Sequence, residues 1–186
     1  MKNFIILITL IFAFASFAKD NTITMNFDVN TANKHSDILF VIDDSGSMAD
    51  NQAKLKSVVK SFVKSLNDIS YNIYAVSTDI DRAYTGNLIS SYSTDSANDL
   101  QNLLDTFTKN GSANEYVYKN IMRFLNAEKG VLFNRPETAL EVIVLTDEPE
   151  QSDLPNIDFL DGLAHKRSFS LTNLIPFKES EECGQV

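Results

Sequence analysis

Asp37-Ile-Leu-Phe-Val-Ile-Asp-Asp-Ser-Gly-Ser-Met48 is the stretch on which the reading of this chain turns. Five apolar residues, 38–42, run without interruption. Such a run is the mark of a strand buried on both faces, as in a parallel sheet covered by helices. It ends abruptly in Asp43-Asp44-Ser45-Gly46-Ser47, where Gly46 permits a tight turn. Asp43, Ser45 and Ser47 then offer oxygen-bearing side chains at alternate positions of one short loop. Hard oxygen donors crowded at the carboxyl end of a buried strand suit a hard cation such as Mg²⁺. Open α/β sheets also place their ligands just outside the carboxyl ends of their strands. The plainer alternative is a turn followed by a helix cap.

Downstream of this loop, Leu55, Val58, Val59, Phe62, Val63 and Leu66 recur at the helical period, which predicts a helix over residues 50–67 with Asp50 as its cap. Lys56, Lys60 and Lys64 flank the apolar stripe and read as its wet edge. Residues 71–77 predict a second strand and residues 88–93 a short third. The modest loop between them predicts an antiparallel hairpin with the third strand at a sheet edge. Asp79 and Asp81 in that loop read as turn residues. Ser96-Ala-Asn-Asp99 has the form of a helix start, and Leu100, Leu103, Leu104 and Phe107 follow with helical spacing. After a loop at residues 108–112, a further helix is expected over residues 113–126. Glu141-Val-Ile-Val-Leu-Thr146 is a second buried-strand run, and it too ends in an acidic loop, Asp147-Glu-Pro-Glu-Gln-Ser-Asp153. A short helix over residues 157–163 and a last strand over 168–175 complete the pattern. Strands alternating with amphipathic helices define an α/β class, with helices on both faces of a mostly parallel sheet and one antiparallel edge strand.

Upstream, Lys2 precedes a short apolar core that ends in Ser16-Phe-Ala18, the form of a secretory signal peptide cleaved after Ala18. The apolar stretch falls short of the roughly 20 residues that span a bilayer. Residues 19–35 read as a polar lead-in in which Ile23, Met25, Phe27 and Val29 alternate, with His35 at its turn-like end. The 186 residues suffice for one domain, and a formal net charge of −9 argues against a nucleic-acid partner, whose phosphates demand a basic face. Cys183 is the only cysteine, which reads as an unpaired thiol, inert near the chain end, or as one whose partner lies outside this sequence. His35 and His165 are isolated, no H-E-x-x-H occurs and no G-x-S-x-G occurs, which excludes the common metalloprotease and serine hydrolase signatures.

The D-x-S-x-S of Asp43, Ser45 and Ser47, the Gly111-Ser-Ala-Asn-Glu115 segment and the strand ending Thr146-Asp-Glu148 together resemble von Willebrand factor type A (VWA) domains with a metal-ion-dependent adhesion site. The resemblance is greatest to exported bacterial members and covers roughly residues 36–176. It implies a doubly wound, Rossmann-like three-layer sandwich. It also implies that Ser45, Ser47 and a third-loop hydroxyl bind Mg²⁺ or Mn²⁺ directly, while Asp43 and Asp147 bind directly or through water. The family's third-loop threonine corresponds to Ser112, with Thr108 as the competing candidate. A coordination position then remains for an Asp or Glu of a protein partner, so that the site binds rather than catalyses. Asp44, Glu115 and Glu148 are candidates for contact with that ligand, although the plain reading of Glu115, Glu148 and Glu150 is solvated loop acids. The family normally adds a helix and a strand after the stretch ending near Ile175. Only a polar tail follows here, so the domain at 36–186 is expected to lack a C-terminal element or to belong to a longer protein. The other readings are a structural or assembly module of the same fold without a working metal site, and an Asp-dependent phosphohydrolase. The latter needs D-x-D, and Ser45 stands where its second Asp would be.

Overall fold

The computed structural model describes residues 35–82, 86–107, 111, 114–127, 133, 135, 138–153 and 169–174. The expected signal peptide and lead-in, the helix over 157–163, His165 and Cys183 lie outside them. Among the described residues one sheet of five strands is built from β1 (His35–Ile42), β2 (Ser70–Ser77), β3 (Ile89–Ser90), β4 (Ala139–Leu145) and β5 (Phe169–Leu174). Their spatial order is β3-β2-β1-β4-β5, with every pairing parallel except the antiparallel β2–β3 edge. The mostly parallel α/β architecture expected from the sequence is therefore the one observed.

Among the described residues three helices cover the sheet: α1 (Ala49–Ser65), α2 (Ser96–Asp105) and α3 (Val117–Asn126). Alternation along β1 divides the core. Ile38, Phe40 and Ile42 face Val59 and Phe62 of α1, Leu66 just after it, and Leu100, Leu103 and Leu104 of α2. Leu39 and Val41 face Val117, Ile121, Phe124 and Leu125 of α3. Phe40 and Phe62 meet edge to face at 5.5 Å, and Tyr74 stacks on Phe124 at 4.8 Å. A strand apolar at every position is thus required, because both of its faces are covered.

Local departures from the sequence expectations have local causes. Helix α1 begins at Ala49, after a single 3-10 turn over Gly46–Met48, so Asp50 lies inside the helix and Met48 takes the cap position without a side-chain bond. Gly46 makes that turn without a positive φ, which among the described glycines belongs to Gly86 alone, at 86°. The cap of α2 is Asp95, whose Oδ1 accepts from Asn98 N at 3.1 Å, one residue before the expected start. Strand β3 holds two residues rather than six, because its serines take over the backbone: Ser93 N donates to Ser90 O, Ser93 Oγ accepts from Ser90 N, and Ser90 Oγ accepts from Tyr92 N. His35 is no turn residue but the exposed first residue of β1. Helix α3 starts at Val117 rather than 113, since Tyr116 N donates to Thr78 O at 3.1 Å and the residues before it are held outside the helix.

The topology places the site. The chain runs from β1 outward through β2 to β3, then crosses to the other side of β1 to form β4. The order reverses between β1 and β4, and the crevice at their carboxyl ends is where such sheets receive ligands.

Candidate metal centre

The loops after β1 and β4 are aligned by continuation of the ladders. Asp43 N donates to Leu145 O at 2.9 Å, one step past the strand ends. On the other side of β1, Thr78 N donates to Ile42 O at 3.0 Å. Asp43 is fully buried and both of its carboxylate oxygens are held: Oδ1 accepts from Ser45 N at 2.8 Å, and Oδ2 accepts from Thr146 Oγ1 at 2.9 Å. The first bond folds the loop back on itself as an Asx turn. Gln52 Nε2, from the first turns of α1, donates to Asp43 O at 2.8 Å.

With the loop so folded, Ser45 and Ser47 point the same way. Their hydroxyls share a hydrogen bond of 3.0 Å, and Ser47 Oγ donates to Asp147 Oδ1 at 3.1 Å across 100 residues of sequence. Ser45 is buried, Ser47 exposed and Asp147 half-buried, so the row of oxygens opens to solvent at one end. Of the residues predicted for the site, Asp43, Ser45, Ser47 and Asp147 are therefore brought together. Ser112 and Thr108 both lie outside the described residues.

Asp44 is buried and turned away from this row. Its Oδ1 accepts from Ser77 Oγ at 2.9 Å, and Arg82 Nη1 lies 2.6 Å from its Oδ2. That contact is an ion pair without hydrogen-bond alignment. Burial raises the Asp44 carboxyl above its ordinary range, against the opposing pull of Ser77 and Arg82. Its backbone carbonyl accepts from Gly111 N at 2.9 Å, which docks the third loop onto the first. A Cβ at Gly111 would lie 2.1 Å from Asp44 Oδ1 and 2.9 Å from the Asp44 carbonyl carbon, so only glycine fits this approach.

The three loop glutamates part company. Glu148 is exposed, as a solvated loop acid should be. Glu150 caps α3: its Oε2 accepts from Tyr118 N at 3.2 Å and its Oε1 from Ser152 N at 2.6 Å. Glu115 is fully buried, contrary to the solvated reading of the sequence. Desolvation pushes its carboxyl up to about 7, and the charges of Asp43, Asp44 and Asp79 push in the same direction. The Thr78 hydroxyl faces it and favours its charged form, yet the pair falls outside hydrogen-bond geometry. Thr146 and Thr78 are the residues that sequence reading passed over. Thr146 stood in view at the head of Thr146-Asp-Glu148, and nothing local distinguishes Thr78.

Among the described residues no three His, Cys, Asp or Glu side chains converge. The site is instead two carboxylates and a pair of hydroxyls, all hard oxygen donors, with none of the Cys or His ligands that favour zinc. None of the described helices is long and apolar enough to cross a membrane.

A sequence profile of the von Willebrand factor type A domain matches residues 37–170. The chain belongs to that family, whose members are typically non-enzymatic modules of protein interaction or adhesion. No curated protein matches it significantly. Among solved structures it is similar to proximal thread matrix protein 1 from the mussel byssus, at 14% identity and a TM-score of 0.49. The likeness covers 76% of this chain and 38% of that one, so the chain spans well under half of that protein's length.

Proposed function

We propose that this chain is an exported, metal-dependent protein-binding domain. In this reading Ser45 and Ser47 bind Mg²⁺ (or Mn²⁺) directly with a third-loop hydroxyl, and Asp43 and Asp147 complete the site directly or through water. A bound cation of this kind supplies an electrophilic coordination position, which here is taken by an Asp or Glu carboxylate of a protein partner. The observation that carries the reading is the spacing of the oxygens. Mg²⁺ is octahedral with bonds of about 2.0–2.1 Å, so neighbouring ligand oxygens stand about 2.9 Å apart. The Ser45–Ser47 and Ser47–Asp147 separations are 3.0 and 3.1 Å. Ser112 is preferred to Thr108 for the third hydroxyl because it follows Gly111, which sits against Asp44. Binding is preferred to phosphohydrolysis because both Asp43 oxygens already accept from Ser45 and Thr146. Export rests on the signal-like segment 1–18, and N-terminal sequencing of the native protein is expected to begin at Lys19.

Calorimetric titration with Mg²⁺ tests the site. Wild-type protein is expected to bind, and Asp43→Ala and Asp147→Ala each to lose binding while circular dichroism shows an intact fold. Binding that survives Asp43→Ala would place the cation elsewhere. Capture of partner proteins that persists in excess chelator would favour the module without a working metal site.

A further inference from the structure

Glu115 is an anomaly that the proposed ligand set leaves unused. It is fully buried, and neither of its carboxylate oxygens has a hydrogen-bond partner among the described residues; the same holds for the hydroxyl of Thr78, which is also buried. Buried polar groups in folded proteins are nearly always paired, and an orphan points to water or an ion between protein groups. Here two carboxylate oxygens and a hydroxyl are buried together without a partner in hydrogen-bond geometry.

Their position is fixed from both sides. Gln151 N, on the loop that carries Asp147, donates to Glu115 O at 2.8 Å. Tyr116 N, the next residue along, donates to Thr78 O at 3.1 Å. Glu115 is thereby clamped between the loop after β2 and the loop after β4, at the carboxyl end of the sheet. The carboxylates whose charge it feels, Asp43 first and then Asp44 and Asp79, lie on the loops after β1 and β2. One of them, Asp44, has its own counter-ion in Arg82. Described donors thus reach Asp43 and Asp44 within hydrogen-bond or ion-pair distance, whereas the Thr78 hydroxyl faces Glu115 outside hydrogen-bond geometry.

We propose that Glu115 is a positioning residue of the cation site, accepting, with Thr78 beside it, hydrogen bonds from water molecules that a bound Mg²⁺ retains. The inference rests on the metal-binding reading above. Mg²⁺ gives up its waters reluctantly, and each retained water presents protons that need acceptors. A carboxylate behind the ligands orients such waters and offsets the cation's charge, and loss of an outer partner of this kind typically costs about 10–100-fold in metal affinity. The cation in turn supplies the positive charge that makes an ionised, buried Glu115 tolerable.

The test is titration of wild type, Glu115→Gln and Thr78→Val with Mg²⁺ alone, combined with thermal unfolding with and without Mg²⁺. Glu115→Gln keeps the shape and removes the charge. It is expected to bind Mg²⁺ about 10–100-fold more weakly, and to lose most of the Mg²⁺-dependent rise in melting temperature. Its metal-free melting temperature at neutral pH is expected to equal or exceed that of wild type. Thr78→Val is expected to weaken Mg²⁺ binding by a smaller factor. Equal Mg²⁺ affinity in wild type and Glu115→Gln overturns this inference and leaves the metal site standing. A lowered metal-free melting temperature with an unchanged Mg²⁺ increment assigns Glu115 a structural role and likewise overturns it. If wild type shows no response to Mg²⁺, the metal-binding reading itself fails.

Discussion

Glu115 should set the pH dependence of the metal-free domain. In the unfolded chain its carboxyl titrates at the ordinary value of 4.5, and in the folded chain at about 7, because burial disfavours the charge. The sign follows from proton counting. Between those two values the unfolded state binds fewer protons than the folded state, so stability falls as pH rises through the window. The penalty is absent below 4.5 and complete above 7. A gap of that size, at about 1.4 kcal/mol per unit, amounts to about 3 kcal/mol.

Glu115→Gln removes the titration while preserving volume. Urea unfolding of both proteins in chelator, on either side of the window, isolates the term, because Asp44 and every other shifted group is common to the two. The variant is expected to gain about 3 kcal/mol on wild type between the acidic and the neutral side. A difference between the proteins that does not change with pH would refute the reasoning. It would mean that Glu115 is solvated or already paired in the metal-free fold.

Two further outcomes follow from the packing of the loops. Gly111→Ala places a methyl group 2.1 Å from Asp44 Oδ1 and should force the third loop off the first. The expected result is a loss of about 1–3 kcal/mol in urea unfolding, together with weakened Mg²⁺ binding; full Mg²⁺ affinity would show that the third loop is not needed. Arg135→Gln strips the counter-ion from the buried Asp37 at the opposite end of β1 and should lower stability by about 3 kcal/mol. Mg²⁺ affinity measured by calorimetry is expected to stay at the wild-type value, and a parallel loss would reveal coupling along the strand.

The parts of the fold that could be read from sequence are those decided by short-range pattern. Residues 38–42 and 141–145 are apolar at every position, and only strands covered on both faces need that. The stripe of Val59 and Phe62 in α1, continued by Leu66 at its C-cap, declared its period in the same way. The same held for the first-loop residues, because Asp43, Ser45 and Ser47 are near neighbours in sequence and their Asx turn is a local event. What escaped depended on contacts between distant segments. The start of α3 is set by Thr78 O, which takes the Tyr116 N–H, and by Glu150, whose carboxylate receives Tyr118 N. The burial of Glu115 is set by loops on either side of it, and in sequence it looks like any acid beside a helix. Asp37 gave no sign of its partners, since Arg135 and Thr138 lie 98 and 101 residues away.

The two ends of β1 make the strongest physical case for a cation. Each end buries an aspartate completely, Asp37 at one and Asp43 at the other. At the Asp37 end the charge is closed off. Arg135 Nε donates to its Oδ1 at 2.9 Å with Nη2 alongside, and Thr138 Oγ1 donates to its Oδ2 at 2.8 Å. At the Asp43 end the donors are a backbone N–H and the Thr146 hydroxyl, both neutral. Arg82 is committed to Asp44, while Asp147 and Glu115 add two more acids to the same end of the sheet. Burying a carboxylate without a counter-charge is costly, and the Asp37 end shows the cost being met with an arginine. In the proposed reading a bound Mg²⁺ would supply at the Asp43 end the counter-charge that Arg135 supplies at the Asp37 end.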